Sequence, residues 1–356
     1  MIAAADRSPE RGKPAAPLIQ TDGGLLRAED GLMVIPHRPV PQCMLPIMKG
    51  TKEKDRKPFA SVGTIIDDRW EVKGLIGQGG YGEVYYAVDK KTNAEVAVKV
   101  EAKHHRGKLD LRVLLEQKVL MLMQGRPHVS KVYASGVTGP TMQHHNFIVL
   151  QLLSQNLGDL QKQSPLRRLS QSTVARIGIQ GIAALRDMHN AGYLHRDVKP
   201  KNMCFGVTPY SLYRLFLVDF GMVRRHMNPG GKLREPRPLA GFRGTVRYAS
   251  RRIHDGREAC PADDLIALMY SLLELLVITL PWKYLNADKW RTSDMSLHYP
   301  IVGRHFQAFA RIVQTYGISD IPGYESLQAI LRPMCHGKQL WDEYDWEDGY
   351  IDLLRH

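Results

Sequence analysis

The chain has 356 residues, 44% hydrophobic and 24% charged, with a formal net charge of +13 and four cysteines. That length and apolar content allow one large or two ordinary domains with a sizeable core, which excludes a wholly disordered chain. Cys43, Cys204, Cys260 and Cys335 lie too far apart for a CxxC zinc pair or a dense disulfide framework, so a reducing compartment is expected.

The start, Met1 to Ala5 then Asp6 and Arg7, lacks the basic residues and continuous apolar stretch of a signal peptide, and secretion is not expected. Residues 1–60 are rich in Pro, Gly and charge, with Pro36, Pro39, Pro41 and Pro46 interrupting any period, which predicts a flexible N-terminal arm without a core. From Trp70 the texture changes. Trp70 to Ile76, Glu83 to Val88 and Glu95 to Val100 are short β-branched or aromatic segments separated by turn residues, the pattern of three antiparallel strands. Leu109 to Met123 carries apolar residues at helical spacing, and Phe147 to Leu153 reads as a buried strand. Further on, Val174 to Asn190 and Asp263 to Leu280 are the clearest helices. The apolar run Leu265 to Leu280 is broken by Tyr270, Ser271 and Glu274 and is shorter than the roughly 20 residues of a membrane span, so it predicts a central buried helix. Trp341 to Gly349 holds five acids and no base. The organisation is α+β: a strand-rich small lobe over 61–152, a helix-rich large lobe over 153–340 and an acidic segment over 341–356.

Gly77, Gly79 and Gly82, with Gln78 and Gly80 between them, form a G-x-G-x-x-G between two predicted strands. A dinucleotide site wants strand, glycines and helix; a hairpin closing over ATP phosphates wants a Val two residues on, and Val84 is there. An ordinary glycine-rich turn fits as well. Ala97 and Lys99 belong to Val96-Ala97-Val98-Lys99 on the next strand, from which a long cation can reach phosphate oxygens. Glu116 lies inside the apolar-periodic helix, where a carboxylate needs a cation; Lys99 is the expected partner, with Glu101 as a competitor. The strongest signal is His195-Arg196-Asp197-Val198-Lys199-Pro200-Lys201-Asn202 followed by Asp219-Phe220-Gly221. In phosphoryl transfer one carboxylate orients the attacking hydroxyl while an Asn and a second carboxylate hold magnesium, and Asp197, Asn202 and Asp219 supply that set.

With these motifs the chain from about Val62 to Leu331 resembles the eukaryotic protein kinases, and Gly244-Thr245-x-Arg247-Tyr248-Ala249-Ser250, without an Ala-Pro-Glu, is similar to the casein kinase 1 group. Gln151-Leu152, Asn156-Leu157-x-Asp159-Leu160 and Pro236-Arg237-x-x-Ala240-Gly241-Phe242-Arg243 resemble its tau-tubulin kinase branch. The resemblance implies a bilobal kinase fold and an ATP- and Mg2+-dependent enzyme phosphorylating protein Ser/Thr. It implies Asp197 as catalytic base, Lys199 as the cation beside the transferred group, and Asn202 and Asp219 as metal ligands. Leu150 is the implied gatekeeper, Gln151 to Leu153 the hinge, and Asp264 a buried brace of the catalytic loop, a role compatible with a helix N-cap. Ser250-Arg251-Arg252 departs from the group's usual Ser-Ile-Asn and puts the docking of the activation segment in question.

The positive excess alone is compatible with nucleic acid, a membrane surface, acidic proteins or solubility. From Asp219 to Arg252 nine bases face two acids, a local +7 that exceeds half the total. This segment is expected to hold acidic or phosphorylated protein substrates, with Arg243 and Arg247 as the anion site; a solvated basic loop is the bland alternative. No nucleic-acid module, membrane partner or internal repeat is found, and a cytoplasmic, also nuclear, monomer is expected. The acidic end is expected as a solvated tail, or else as a pseudosubstrate folded onto the basic segment.

Overall fold

A computed structural model describes residues 25–28, 31–34, 38–48, 58–79, 82–102, 104–105, 108–109, 112–280, 282, 302–347 and 350. Among its described residues, a unit ending at Arg38 contains a hairpin, β1 (Leu25–Ala28) against β2 (Gly31–Val34). The second unit begins at Pro39.

In that unit β3 (Ile65–Ile66), β4 (Trp70–Gln78), β5 (Gly82–Asp89) and β6 (Glu95–Glu101) run antiparallel in sequence order. A short pair follows, β7 (His104–His105) with β8 (Lys108–Leu109), then α1 (Arg112–Leu122). β9 (Val132–Val137) and β10 (Asn146–Gln151) complete a six-stranded sheet of order β3-β4-β5-β6-β10-β9. Its two faces separate because side chains alternate along each strand. Trp70, Val72, Tyr85, Ala87, Val98, Val100, Phe147 and Val149 form a core on one face, joined by Phe59 and Ala60. The opposite face carries Val84, Ala97, Lys99, Ile148 and Leu150, paired in the rows Val84–Lys99–Ile148 and Tyr86–Ala97–Leu150. Against Ile148 and Leu150 packs the buried stripe Val113, Val119 and Leu120 of α1, at the helical spacing read from the sequence.

The chain crosses to the large lobe between Gln151 and β11 (Leu153–Asn156), which pairs with β13 (Met203–Gly206), itself paired with β14 (Leu215–Leu217). Asn156 caps α2 (Leu157–Gln163). α3 (Gln171–Asn190) leads to β12 (Tyr193–Leu194), which pairs with β15 (Arg224–Arg225). α4 (Arg251–His254), α5 (Pro261–Val277), α6 (Gly303–Thr315) and α7 (Tyr324–Leu331) follow. α5 is buried from Pro261 to Leu276, as its apolar composition requires. It ends earlier than Leu280 because Ile278 takes a left-handed conformation, φ 76°.

Two expectations are corrected. Residues 39–48 and 58–60 of the expected arm do contribute to a core, because Met44 and Ala60 are buried, and the Cys43 carbonyl accepts from Gln155 Nε2 at 2.7 Å. Phe59 N donates to the buried Glu83 at 2.8 Å. The acidic end is neither a solvated tail nor a cover for the basic segment. Tyr344 is buried, stacked on Trp346 and in contact with Phe205. Asp345 accepts from Ser170 N at 2.5 Å, Ser170 Oγ at 2.7 Å and Thr173 Oγ1 at 2.8 Å. A carboxylate there meets the unpaired amides and positive dipole end of α3, which holds it more firmly than a surface base could. Below it the fully buried Arg176 donates to the carbonyls of Gln339 (3.2 Å), Asp342 (2.6 Å) and Glu343 (2.7 Å) and lies 3.9 Å from the Tyr344 ring.

Candidate active site

β6 and α1 bring their residues to one point because strand alternation aims Lys99 at the helix and helical spacing aims Glu116 at the sheet. Lys99 Nζ lies 2.6 Å from Glu116, 3.0 Å from Glu101 and 3.1 Å from Asp219. Both carboxylates weighed as its partner are thus bound at once. Three acids outweigh the burial that opposes charge on Lys99 and raise its pKa well above 10.5. Burial pushes Glu116 up to about 7, with Lys99 acting against it and Asp219 and Glu101 with it. Lys99 holds the Asp219 carboxyl below its usual range despite burial. One ammonium cannot neutralise three such carboxylates, which leaves a surplus of negative charge beside Asp219.

The loop His195 to Asn202 follows β12. Asp264 in α5 receives His195 N at 2.7 Å, Arg196 N at 2.8 Å and His189 Nε2 at 3.0 Å. It braces the loop from within the helix, while the cap of α5 is Cys260 with Asp263. His195 Nδ1 accepts from Asp197 N at 3.3 Å and Nε2 faces the Val218 carbonyl at 3.1 Å, a neutral-imidazole pattern that agrees with the pKa lowered by burial. Asp197 is clamped on both oxygens. Thr245 Oγ1 donates to Oδ1 at 2.7 Å, Lys199 Nζ to Oδ2 at 2.5 Å, and Asn202 Nδ2 to Oδ2 at 3.2 Å and to the Asp197 carbonyl at 2.8 Å. Lys199 also donates to Thr245 Oγ1 at 3.0 Å. Both amide hydrogens of Asn202 are thereby used and its Oδ1 is left as an acceptor. With Asp219, which keeps 44% side-chain exposure, and the surplus negative charge, this donor set of hard oxygens fits a divalent cation.

Thr245 reaches Asp197 because Gly244, at φ 106°, passes so near the loop that a Cβ there would lie 2.4 Å from the Arg196 carbonyl. Sequence reasoning quoted Thr245 only as part of a motif; a hydroxyl following such a glycine was the available signal. The departure at Arg251-Arg252 does not loosen the segment. Ser250 caps α4 and donates to Asp263 at 2.5 Å, and Arg252 donates to the Glu258 carbonyl at 3.2 Å.

The basic segment is less free than its count. Arg224 and Arg237 share Glu258, at 2.6 and 2.7 Å, and Arg247 meets Glu274 at 2.9 Å. Tyr248 also donates to Glu274. Among the described residues, Arg225, Lys232, Arg234, Arg243 and Arg251 have no carboxylate partner. Arg243 is exposed and lines one cavity with Asp197 and Thr245; no shared partner joins it to Arg247. Of the expected nucleotide residues, Gly77 pairs with Val84, Gly79 N donates to the Gly82 carbonyl at 2.9 Å, and Gln78 donates to Glu83. Ala97 pairs with Leu150, and Gln151 and Leu153 flank the crossing between lobes. Gly80 lies outside the described residues.

A β-sheet lobe with a glycine hairpin and a lysine held by a helix glutamate, set on a helical lobe with this loop, defines a protein kinase. A family model described as "Protein kinase domain" matches residues 70–336. The chain is 41% identical to the Caenorhabditis elegans protein named "Putative casein kinase I", covering 84% of this chain and 89% of that one. A Dictyostelium discoideum "Probable serine/threonine-protein kinase" is 33% identical over 81% of this chain and 58% of its own length. A "Probable casein kinase I homolog" of Encephalitozoon cuniculi is 30% identical over 76% and 91%. The chain belongs to the protein kinase family, in its casein kinase 1 group. It is a serine/threonine protein kinase, for which ATP is the substrate implied by the family, together with a divalent metal. Among the described residues no helix is long and apolar enough to cross a membrane.

Proposed function

We propose that the chain transfers the γ-phosphate of ATP, with Mg2+, to Ser or Thr hydroxyls of acidic or already phosphorylated proteins. The observation that carries this reading is the Asp197 carboxylate, gripped by Lys199, Asn202 and Thr245. Held so, Asp197 accepts the hydrogen of the substrate hydroxyl and turns its oxygen toward the phosphorus, while Lys199 offsets charge on the transferred group. Asn202 Oδ1 and Asp219 would hold the magnesium, which supplies charge neutralisation at the phosphates. The backbone over Gly77–Gly82 would close on the phosphates, Lys99 would reach them from β6 with Glu116 as its orienting partner, and Ala97, Leu150, Gln151 and Leu153 would line the adenine. Protein binding to anions rests chiefly on Arg243, exposed beside Asp197, because Arg247 already has Glu274. None of the four cysteines is in a disulfide, which supports a cytoplasmic and nuclear place of action. The enzyme is read as a monomer of two lobes.

The test is phosphorylation of a peptide library in acidic, basic and pre-phosphorylated versions, with Asp197→Asn as the blank. Transfer that persists in Asp197→Asn would remove the base assignment. Arg243→Glu is expected to reduce use of acidic peptides about tenfold, roughly 1.4 kcal/mol, and Arg247→Glu less. Equal use of acidic and basic peptides by the unaltered chain would refute the charge preference.

A further inference from the structure

The segment from Pro39 to Met48 touches both lobes. On the large-lobe side Met44 is buried, the Cys43 carbonyl accepts from Gln155 Nε2 at 2.7 Å, and Cys43 Sγ donates to the Trp346 carbonyl at 3.1 Å. Gln155 is itself buried in β11 just past the crossing between lobes, and its Oε1 accepts from Gln163 Nε2 at 2.7 Å, which fixes the amide toward the segment. On the small-lobe side Met48 lies on Gly74 of β4. A Cβ at Gly74 would stand 2.2 Å from the Met48 sulfur, so a side chain there would displace the Met48 side chain from the strand.

The position of Gly74 gives the contact its meaning. A register shift after Val72 places Val72 opposite Ala87, on the core face, but Gly74 opposite Tyr86. Tyr86 pairs with Ala97 and Ala97 with Leu150. Cross-strand partners share a face, so Gly74 belongs to the row Gly74–Tyr86–Ala97–Leu150 on the face that carries Lys99. It is three residues before Gly77 on the strand that leads into the glycine hairpin. Three prolines, Pro39, Pro41 and Pro46, stiffen the segment, and Pro41 and Leu45 have extended backbones with ψ of 135° and 144°. A chain so restricted loses little entropy on docking and transmits a constraint from one end to the other.

We propose that residues 39–48 form a strap that ties β11 of the large lobe to β4 of the small lobe and positions the glycine hairpin for nucleotide. Met48 and Gln155 are its two end contacts and act as positioning residues. The inference rests on the reading of this cleft as the nucleotide site.

The full chain and the variants Met48→Ala, Met48→Leu, Gln155→Ala and Met48→Ala/Gln155→Ala test it. Equilibrium binding of a fluorescent ATP analogue with Mg2+ is measured beside steady-state kinetics. Met48→Ala and Gln155→Ala should each weaken nucleotide binding and raise the ATP KM about three- to tenfold, the scale of one lost packing or polar contact. The kcat and the peptide KM should stay within about twofold, because a constraint on nucleotide binding alone leaves the chemical step untouched. Met48→Leu should restore binding. The double variant should be no weaker than the weaker single one, since either change cuts the same tie. Unchanged analogue affinity in both single variants, or additive losses in the double one, overturns the strap. Failure of the unaltered chain to bind the analogue at all would instead overturn the nucleotide-site reading on which the strap depends.

Discussion

Truncation after Leu340 separates two accounts of the acidic C-terminal segment. As a pseudosubstrate its removal would raise activity in a salt-sensitive way; as part of the large lobe its removal should destabilise the protein. The structural cost has three parts. Tyr344 is 1% exposed, and losing that burial costs about 2 kcal/mol. Arg176 loses the Asp342 and Glu343 carbonyls at 2.6 and 2.7 Å while still buried, which costs about 3 kcal/mol at the lower value for charged hydrogen bonds. Loss of Asp345 from the start of α3 adds about 1 kcal/mol. The total, about 6 kcal/mol, approaches the whole stability of many domains. At about 2 °C per kcal/mol for a protein of this size, Tm should fall by roughly 12 °C. Differential scanning calorimetry beside a peptide kinase assay reads both quantities. A truncated chain that melts within about 2 °C of the full one refutes the reasoning, and raised activity at low salt would restore the pseudosubstrate. Asp345→Asn should lower Tm by only a few degrees.

Other expected outcomes concern the activation segment and pH. Glu258→Gln removes the carboxylate shared by Arg224 and Arg237, so hydrogen exchange over 233–240 should accelerate and the peptide KM should rise about fivefold, roughly 1 kcal/mol, with the ATP KM unchanged; unaltered exchange would show that the pair does not hold the segment. Burial keeps His128, His195 and His226 below the ordinary 6.5. The unfolded chain therefore binds more protons below that pH, so stability is fully present above about 6.5 and falls as pH drops toward the folded values, by up to about 1.4 kcal/mol per pH unit for each histidine. Melting at pH 7.5 and 5.5 checks this. His128→Gln should flatten the dependence, and a Tm indifferent to pH over that range would contradict it.

Much of the site was legible in the chain. Strands at Trp70, Glu83 and Glu95 and the helix around Glu116 followed from periods of two and 3.6. Glu116 found its lysine because a carboxylate on a buried helix face needs a cation. Asp197, Asn202 and Asp219 stood in spaced motifs on a loop and after a strand. What escaped were partners far away in sequence. Ser170 and Asp345 are 175 positions apart, Gln155 and Cys43 112, and Cys43 and Trp346 303. The count of +7 in the activation segment also treated every base as free, whereas Glu258 and Glu274, outside that segment, hold Arg224, Arg237 and Arg247.

By itself the sequence determined the two lobes, the kinase family and the residues proposed to carry its chemistry, because periodicity and motif spacing record which way each side chain leaves its own element. Only the tertiary structure decided which end segments belong to the body, which arginines of the activation segment have a carboxylate partner, and that Gly74 turns to the face that carries Lys99. Those outcomes depend on helix ends, carboxylates and strand registers meeting across long stretches of chain, where no local pattern carries the information.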